Sequence, residues 1–226
     1  MAQQERGIRT RRVILEAAAS VFDEFGYEAA TIAEILARAH LTKGALYFHF
    51  SSKEELARGV LDEAVTTDGV LSQTYRLQEL VDTAMALAYR LPREPLLSAS
   101  IRLSVDKKAR AMFGTRWPDW ISLLAGLIQQ AKENGEVLAH VVPTDTARLV
   151  VGAWTGVELV AEGLPEEYSL ESEIAQLFDH LLPGIAVPAV LARLDTAADR
   201  GTRLVAQARE SAQVAQAALA AETAGS

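Results

Sequence analysis

The feature that most constrains the fold is a three-residue gap between two short helical segments near the N-terminus. Residues 32–39 carry apolar side chains at helical spacing, and Thr31 before them has a capping-box glutamate three residues later. Thr42 is the next candidate N-cap, so a second helix is predicted over residues 43–49. Only residues 39–41 separate the two helices, and so short a turn forces them to cross steeply. The sequence therefore predicts a helix-turn-helix.

Helix-period patterns continue along almost the whole chain, and strand-like alternation is absent from the sequence. A second capping box, Ser51 with Glu54, predicts a helix that starts near Ser52. A further helix is predicted over residues 96–112. We therefore predict an all-α protein in three parts. These are an N-terminal helix-turn-helix three-helix domain (1–52), a larger C-terminal helical domain (53–205) and an Ala-rich tail (206–226).

The formal net charge of −8 is unevenly distributed along the chain. Residues 1–53 hold seven Lys or Arg and six Asp or Glu, whereas the remainder holds fifteen and twenty-four. Such a protein is expected to bind random DNA weakly and to depend on local geometry at a specific site. The chain has no cysteine and no apolar run of about 18 residues, so we expect a cytoplasmic, nucleoid-associated protein without a membrane span.

The second helix of the motif carries residue types suited to the DNA major groove, where its N-terminal residues would lie nearest the base edges. Lys43 can donate to guanine O6 and N7, and Gly44 allows close approach because it has no side chain. Tyr47 and His49 can donate to flanking phosphates. Lys53, just after the helix, adds a positive charge for another phosphate. These residues predict a DNA-binding surface.

Other residues of this region face the core or fit two interpretations. Leu46 and Phe50 are predicted to face the core, whereas Phe48 suits either a groove contact or packing. Arg6 belongs to an N-terminal basic cluster that either contacts phosphate and the minor groove or is a solvated helix end. For the whole segment, the alternative is an ordinary three-helix core that happens to carry a lysine and several aromatic residues.

Residues 9–56 resemble the DNA-binding domain of the TetR family of bacterial repressors, mainly through residues 42–50 and 53–56. The resemblance implies a homodimer in which each protomer reads one half-site of a palindromic double-stranded operator. The positions that it assigns to base contact are Lys43, Gly44, Ala45 and Phe48, with Thr42 at the start of the same run. The positions that it assigns to phosphate contact are Thr31, Tyr47, His49 and Lys53. His40 stands in the turn where many members have glycine, and histidine tolerates the left-handed conformation expected there.

The remainder of the chain shows no catalytic or metal-binding pattern. None of the four histidines has a carboxylate or a second histidine at a metal-ligand spacing, and neither a nucleophile elbow nor a phosphate loop is present. We therefore expect no enzyme activity, no cofactor and no metal. Apolar stripes that include aromatic and polar residues suggest instead a pocket for a small molecule. The stripe residues that we assign to its lining are Met85, Tyr89, Ile101 and Leu124, and the alternative for each of them is ordinary core packing.

Beyond the N-terminal domain, the chain is similar to one branch of the TetR family, the γ-butyrolactone autoregulator receptors. The segments that carry this similarity are 9–11, 44–50, 76–80, 130–136 and 182–188. The resemblance implies that Trp120 and Thr155 contact the ligand. It also implies that the helices predicted over residues 144–161, capped by Thr144, and 169–182 pair with their copies in a dimer.

The resemblance thus implies a ligand-responsive repressor that a γ-butyrolactone-type signal releases from DNA and that controls antibiotic biosynthesis. A butenolide, a furan or an antibiotic as effector is the first alternative. A helical enzyme or carrier for a small acyl molecule is a remote alternative, because no paired nucleophile and base are present. An architectural DNA binder is disfavoured by the acidic C-terminal part.

Overall fold

The computed structural model describes residues 2–63, 65–67, 70–163 and 169–224, and within these ranges the side chains from residue 6 to residue 214. The described residues form helices, with an isolated bridge between Val137 and Ala186 as their only strand-like pairing, which confirms the all-α class. The helices are α1 (Ala2–Ala29), α2 (Ile32–Ala39), α3 (Lys43–His49), α4 (Lys53–Asp62), α5 (Arg76–Arg90), α6 (Pro95–Val105), α7 (Lys107–Phe113), α8 (Trp117–Glu133), α9 (Pro143–Ala161), α10 (Leu170–Leu181), α11 (Pro188–Leu191) and α12 (Arg200–Ala224).

The start of α2 has the predicted capping box. The Thr31 hydroxyl accepts a hydrogen bond from the Glu34 amide at 3.2 Å, and the Glu34 carboxylate accepts one from the Thr31 amide at 2.9 Å. The hydrogen bonds from the Thr31 hydroxyl and amide lower the pKa of the Glu34 carboxyl group. After α2, His40 adopts the expected left-handed conformation with φ 52° and ψ 41°. The short turn therefore survives without glycine.

The predicted start of α4 near Ser52 is confirmed, whereas its capping pair and two other helix predictions were wrong. The N-cap of α4 is Ser52, whose hydroxyl accepts from the Glu55 amide, while the Glu55 carboxylate accepts from the Ser51 amide. The capping pair is therefore Ser52 with Glu55, one residue later than the predicted pair of Ser51 with Glu54. The helix predicted over residues 96–112 is two helices, because Asp106 has extended ψ and its carboxylate accepts from the Ala109 amide at 2.7 Å. α9 has Pro143 in its first turn, so Thr144 does not cap it.

The chain forms two compact units, which we call the N-terminal unit (1–66 and 91–118) and the C-terminal unit (67–90 and 119–226). The N-terminal unit contains the domain that the sequence predicted over residues 1–52, together with α4, α6 and α7. The Ala-rich segment 206–226 belongs to the C-terminal unit, and α12 continues through it to Ala224; the last two residues lie outside the described part.

The core of the N-terminal unit explains why α6 and α7 belong to it. Phe22 of α1 and Leu46 of α3 are fully buried in a cluster that also contains Ala99 and Leu103 of α6 and Ala109 of α7. The Ser98 hydroxyl also donates to the Asp23 carboxylate of α1 at 2.6 Å. A segment that follows α5 in the chain thus completes the core beneath the helix-turn-helix.

A buried ion pair joins α5 and α12 in the C-terminal unit. Asp82 is fully buried, and its two carboxylate oxygens accept from Nε and Nη2 of Arg200 at 2.8 and 2.7 Å. The Gln78 amide group donates to Asp82 at 2.7 Å and also exchanges two hydrogen bonds with the backbone of Asp195. Because a buried carboxylate is costly without such partners, this geometry fixes α12 on α5.

Glu136 forms the corresponding contact at the start of α5. Its side chain is buried, and its carboxylate accepts from the Leu77 amide and from the Asn134 side chain, both at 3.0 Å. A negative charge is favoured at this end of a helix, where backbone amides lack intrahelical partners. The loop after α8 therefore holds the N-terminus of α5.

The backbones of α5 and α12 approach most closely at Gly201. A Cβ atom at this position would lie 2.2 Å from the Met85 carbonyl oxygen and 2.9 Å from the Cβ atom of Tyr89. Since neither atom is the mobile end of a side chain, only glycine fits here. The crossing of α12 over α5 thus depends on the absence of a side chain.

Replacing Gly201 with alanine is expected to lower the free energy of unfolding by about 1–3 kcal/mol, because the methyl group overlaps the Met85 carbonyl and forces the helices apart. Gly126 in α8 is the matched control, since a Cβ there meets no atom within 4 Å. Alanine at Gly126 is expected to be neutral or to stabilise by up to about 1 kcal/mol. Urea unfolding followed by circular dichroism measures both variants. Parental stability of Gly201→Ala would contradict the close packing described above.

Candidate functional site

The third helix has one face in the core and one face in solvent. Leu46 and Phe50 are 0% and 2% exposed, as the sequence predicted. The Thr42 hydroxyl caps the helix by accepting from the Ala45 amide at 3.3 Å. The hydrophobic anchors thus fix α3 in rotation, and the remaining side chains project away from the unit.

The exposed face of α3 carries four of the ten residues assigned to DNA contact, namely Lys43, Gly44, Tyr47 and Phe48. Two roles were predicted for Phe48, a groove contact and packing in the core. Because its side chain is 84% exposed, it does not pack in the core. Tyr47 is 44% exposed, and its ring lies 5.7 Å from the Lys43 ammonium nitrogen. Around Gly44 a Cβ atom would meet nothing within 4 Å, so the fold of the protomer itself does not require glycine there. This face offers an open surface with cationic, aromatic and side-chain-free positions side by side.

The other predicted DNA-contact residues lie outside this exposed face. Thr42 is exposed, whereas Ala45 and His49 are half-buried, with the His49 ring packed edge-on to Phe48 at 5.0 Å. Thr31 is exposed at the N-terminus of α2, and Arg6 is exposed in the first turns of α1. Their contacts with DNA remain predictions.

Lys53 has a role inside the protein that sequence reasoning missed. Its ammonium group donates to the carbonyl oxygens of Tyr27 and Ala30 at 2.9 Å each and of Glu28 at 3.4 Å. It also lies 4.4 Å from the centre of the Tyr27 ring. A cation is favoured at a helix C-terminus, where carbonyl groups lack partners. All three N–H donors thus have acceptors at the end of α1, and a phosphate contact would have to replace one of them.

Tyr27 completes this connection between α1 and α4. Its ring is buried and packs edge-on against Phe113 of α7, with centroids 4.8 Å apart. Burial, the nearby charge of Glu54 and a hydrogen bond to that carboxylate raise the pKa of Tyr27 to about 12. The phenol therefore remains a neutral donor to α4 at any physiological pH.

The residues assigned to the ligand lie in both units. Met85 and Leu124 are buried in the C-terminal unit, where Trp120, Tyr89 and Thr155 are half-buried. Ile101 is half-buried on α6 and therefore belongs to the N-terminal unit. Next to Thr155, the Trp154 indole donates to the Ala84 carbonyl oxygen at 3.3 Å, which positions α9 against α5.

A surface pocket of about 490 Å³ lies elsewhere in the C-terminal unit, and none of the six predicted ligand residues lines it. His140, Leu149 and His180 are among its lining residues. Among the described side chains, no group of three His, Cys, Asp or Glu residues is arranged to hold a metal ion. Among the residues that the structure describes, no helix is long and apolar enough to cross a bilayer.

Comparisons with known proteins connect this geometry to a family. The family described as "Bacterial regulatory proteins, tetR family" matches residues 14–60, which include α2 and α3. The A-factor receptor protein of Streptomyces griseus is 40% identical over 214 residues, which cover 94% of this chain and 76% of that protein. The chain belongs to the tetR family of bacterial regulatory proteins. The resemblance inferred from the sequence is thereby confirmed.

Solved structures of this tetR-family type extend the similarity to the C-terminal part. TylP, a TetR regulator from Streptomyces fradiae, is 40% identical, with a TM-score of 0.82 over 90% of this chain and 99% of TylP. A gamma-butyrolactone receptor (ArpA-like protein) is 26% identical, with a TM-score of 0.66 over 89% of this chain and 98% of that one. The two-part fold is therefore shared along nearly the whole chain.

Lys53→Met is expected to lower the free energy of unfolding by about 2 kcal/mol, because three carbonyl groups at the end of α1 lose a charged donor while the apolar stem is kept. Lys43→Met is the matched control, since Lys43 is exposed and should change stability by less than about 0.5 kcal/mol. Urea unfolding of both variants gives the comparison. Equal losses from the two variants would show that the Lys53 contacts do not stabilise the fold.

Proposed function

We propose that this tetR-family protein is a repressor that binds a palindromic operator as a homodimer and is released by a small molecule of the γ-butyrolactone type. We further propose that it controls antibiotic biosynthesis and acts in the cytoplasm, on the nucleoid. The observation that carries the proposal is the exposed face of α3, in a chain similar over 94% of its length to the A-factor receptor protein.

Binding to DNA would use two kinds of contact. Lys43, Gly44, Ala45 and Phe48 would face the base edges, with Lys43 donating to guanine. The residues that would bind phosphate are Thr31, Thr42, Tyr47, His49 and Arg6, with Lys53 adding positive charge behind them. Phosphate contacts set the register of the protein on the duplex, and base contacts select the sequence. The small exposed face of one protomer cannot supply both for a long site, which is a reason for two copies.

The surface of α9 supports the proposed homodimer. Leu149, Leu159 and Val160 are 57%, 44% and 62% exposed, an unusual exposure for large apolar side chains on one helix. Gly152 and Gly156 lie on the exposed side of the same helix, and a Cβ at either would meet nothing within 4 Å. Each glycine costs about 1 kcal/mol of helix stability relative to alanine, a cost that close approach of a second α9 would offset.

The effector is proposed to bind in the C-terminal unit, where Trp120 and Thr155 would provide an aromatic surface and a hydroxyl group. Met85, Tyr89 and Leu124 are proposed to line the same site. Ile101, the other residue assigned to the ligand from the sequence, lies on α6 of the N-terminal unit. A lactone has an apolar ring and a carbonyl acceptor, which suit an apolar pocket with few polar groups. A butenolide, a furan or an antibiotic has comparable chemistry and is an outcome of the test below.

Release from DNA would follow from a displacement of α6. Ala99 and Leu103 of this helix are part of the core around α1, and Ser98 donates to Asp23, so a displacement of α6 would act directly on α1. A ligand that shifts α6 would therefore change the spacing of the two recognition helices, which lie about 34–36 Å apart when matched to successive major grooves. Nearly complete release requires the ligand to favour the released state by about 5 kcal/mol.

Selection of tight sites from a random duplex pool is expected to recover a palindrome, and Lys43→Ala is expected to weaken binding to it at least about 30-fold. The physical reason is the loss of base contacts worth about 1–3 kcal/mol in each of two half-sites. Fluorescence anisotropy measures the affinities. Arg209→Ala, which removes an exposed cation from α12, is the control and should bind normally. Recovery of no sequence would contradict the proposed DNA-binding function.

Trp120→Ala is expected to leave the affinity for the operator unchanged. It is expected to lower the affinity for the ligand at least tenfold, because an aromatic contact surface is removed. The measurement is the concentration of a 2-acyl-γ-butyrolactone that releases half of the bound operator. Trp117→Ala on the same helix is the control, since Trp117 lies in the N-terminal unit. Unchanged release by Trp120→Ala would remove this residue from the site. A palindrome that no lactone releases would keep the repressor and discard this class of effector.

A further inference from the structure

α7 is a cationic helix within the N-terminal unit. Lys107, Lys108 and Arg110 are exposed on it, and Ala109 anchors it in the core of the unit. At its end, Phe113 packs against Tyr27 of α1 and lies 5.7 Å from the guanidinium carbon of exposed Arg58 in α4. We call the four cations Arg58, Lys107, Lys108 and Arg110 the α7 surface.

The α7 surface lies beside the end of α1, where the expected phosphate contacts of the helix-turn-helix begin. The Lys108 ammonium nitrogen is 3.3 Å from a carboxylate oxygen of Glu28, near the last turn of α1. The Glu28 carbonyl oxygen also accepts from Lys53, and Thr31 follows three residues later. A duplex that reaches Thr31 would therefore bring its outer phosphates toward α7, within or near the Debye length of about 10 Å at 0.1 M salt.

The charge of the segment that contains α7 differs in sign from that of the other unit. Residues 91–118 hold six Lys or Arg and two Asp or Glu, a formal charge of +4. The C-terminal unit, residues 67–90 and 119–226, holds eight and eighteen, a formal charge of −10. Positive charge from beyond the helix-turn-helix is thus concentrated in the unit that carries α3.

Lys108 has a specific electrostatic effect at this position. Glu28 is an exposed anion at the end of α1 that would repel an approaching phosphate backbone. An exposed ion pair of this kind contributes little to stability. Its larger consequence is to neutralise Glu28 where DNA would approach.

We propose that the α7 surface is an accessory DNA-binding surface, whose partner is the phosphate backbone outside the base pairs that α3 reads. The inference rests on the proposed function and adds a contact region outside the helix-turn-helix. The contact is electrostatic and independent of sequence, so it raises affinity without changing the preferred site.

The test compares Lys107→Gln/Lys108→Gln with Arg193→Gln/Arg209→Gln, which removes two exposed cations from the C-terminal unit and changes the net charge equally. The probes are the selected operator and a random-sequence duplex of the same length, measured by anisotropy over a range of KCl concentrations. The α7 variant is expected to bind both duplexes at least tenfold more weakly and to reduce the slope of log K against log salt by about 2–4, since a homodimer loses up to four phosphate contacts and each removes about 0.9. The control is expected to bind as the parent does.

Equal slopes and affinities for the two double variants would overturn the proposal. A weaker affinity for the operator alone would also overturn it, because a phosphate contact acts on both duplexes. Failure of the proposed function has a different signature, in which the unaltered chain binds both duplexes equally or binds neither. Equal binding still leaves the α7 comparison measurable on the random duplex, whereas no binding overturns both proposals.

Glu28→Gln provides a second measurement at the same place. Removing this carboxylate is expected to raise affinity for both duplexes two- to fivefold and to restore part of the affinity that Lys108→Gln loses. A decrease in affinity with Glu28→Gln would show that this end of α1 does not face phosphate, and would overturn the proposal.

Discussion

The N-terminal unit depends on the three hydrogen bonds that the Lys53 ammonium group donates to the end of α1. This single group joins the first residue of α4 to the carbonyls that precede the capped start of α2. These hydrogen bonds therefore fix the position of α2 relative to α4 as well as to α1. Because the turn after α2 is short, they also fix the position of α3. The cation also satisfies carbonyls at a helix end, where backbone groups are otherwise without partners. A residue that sequence reasoning assigned to DNA thus first holds the DNA-binding surface in place.

In the C-terminal unit, too, charged side chains hold helices in position, and here they are buried carboxylates. Asp82 is held by Arg200, and Glu136 binds the first turn of α5. Both carboxylates act on α5, one near its middle and one at its start. Two segments that suggested the receptor branch, residues 76–80 and 130–136, thus meet through the Leu77 amide. In this chain the two segments together position the start of α5.

Local signals in the sequence were sufficient for the elements and for the orientation of α3. Thr31 and Thr42 cap the helices that they were predicted to cap, because capping depends on residues three positions apart. The neighbouring serines 51 and 52 both fit the pattern, and the hydrogen bond that the Ser52 hydroxyl accepts from the Glu55 amide decides between them. Asp82 and Arg200 are 118 positions apart, so no periodicity could connect them. The sequence pattern also grouped Ile101 with residues of the C-terminal unit, whereas the structure places it in the N-terminal unit. The packing of α6 on α1 is a contact between distant parts of the chain, which periodicity does not reveal.

The interleaving of the two units along the chain has a consequence for synthesis. The first 66 residues lack Ala99, Leu103 and Ala109, so the core beneath the helix-turn-helix stays incomplete while α5 is being translated. Asp82 in turn has no cationic partner until Arg200 has left the ribosome. A nascent chain therefore carries unfinished apolar surface until α7 has emerged, and an uncompensated carboxylate until Arg200 has emerged. A chain terminated before α7 presents the quality-control machinery with both defects at once, whereas one terminated between α7 and Arg200 presents only the buried carboxylate.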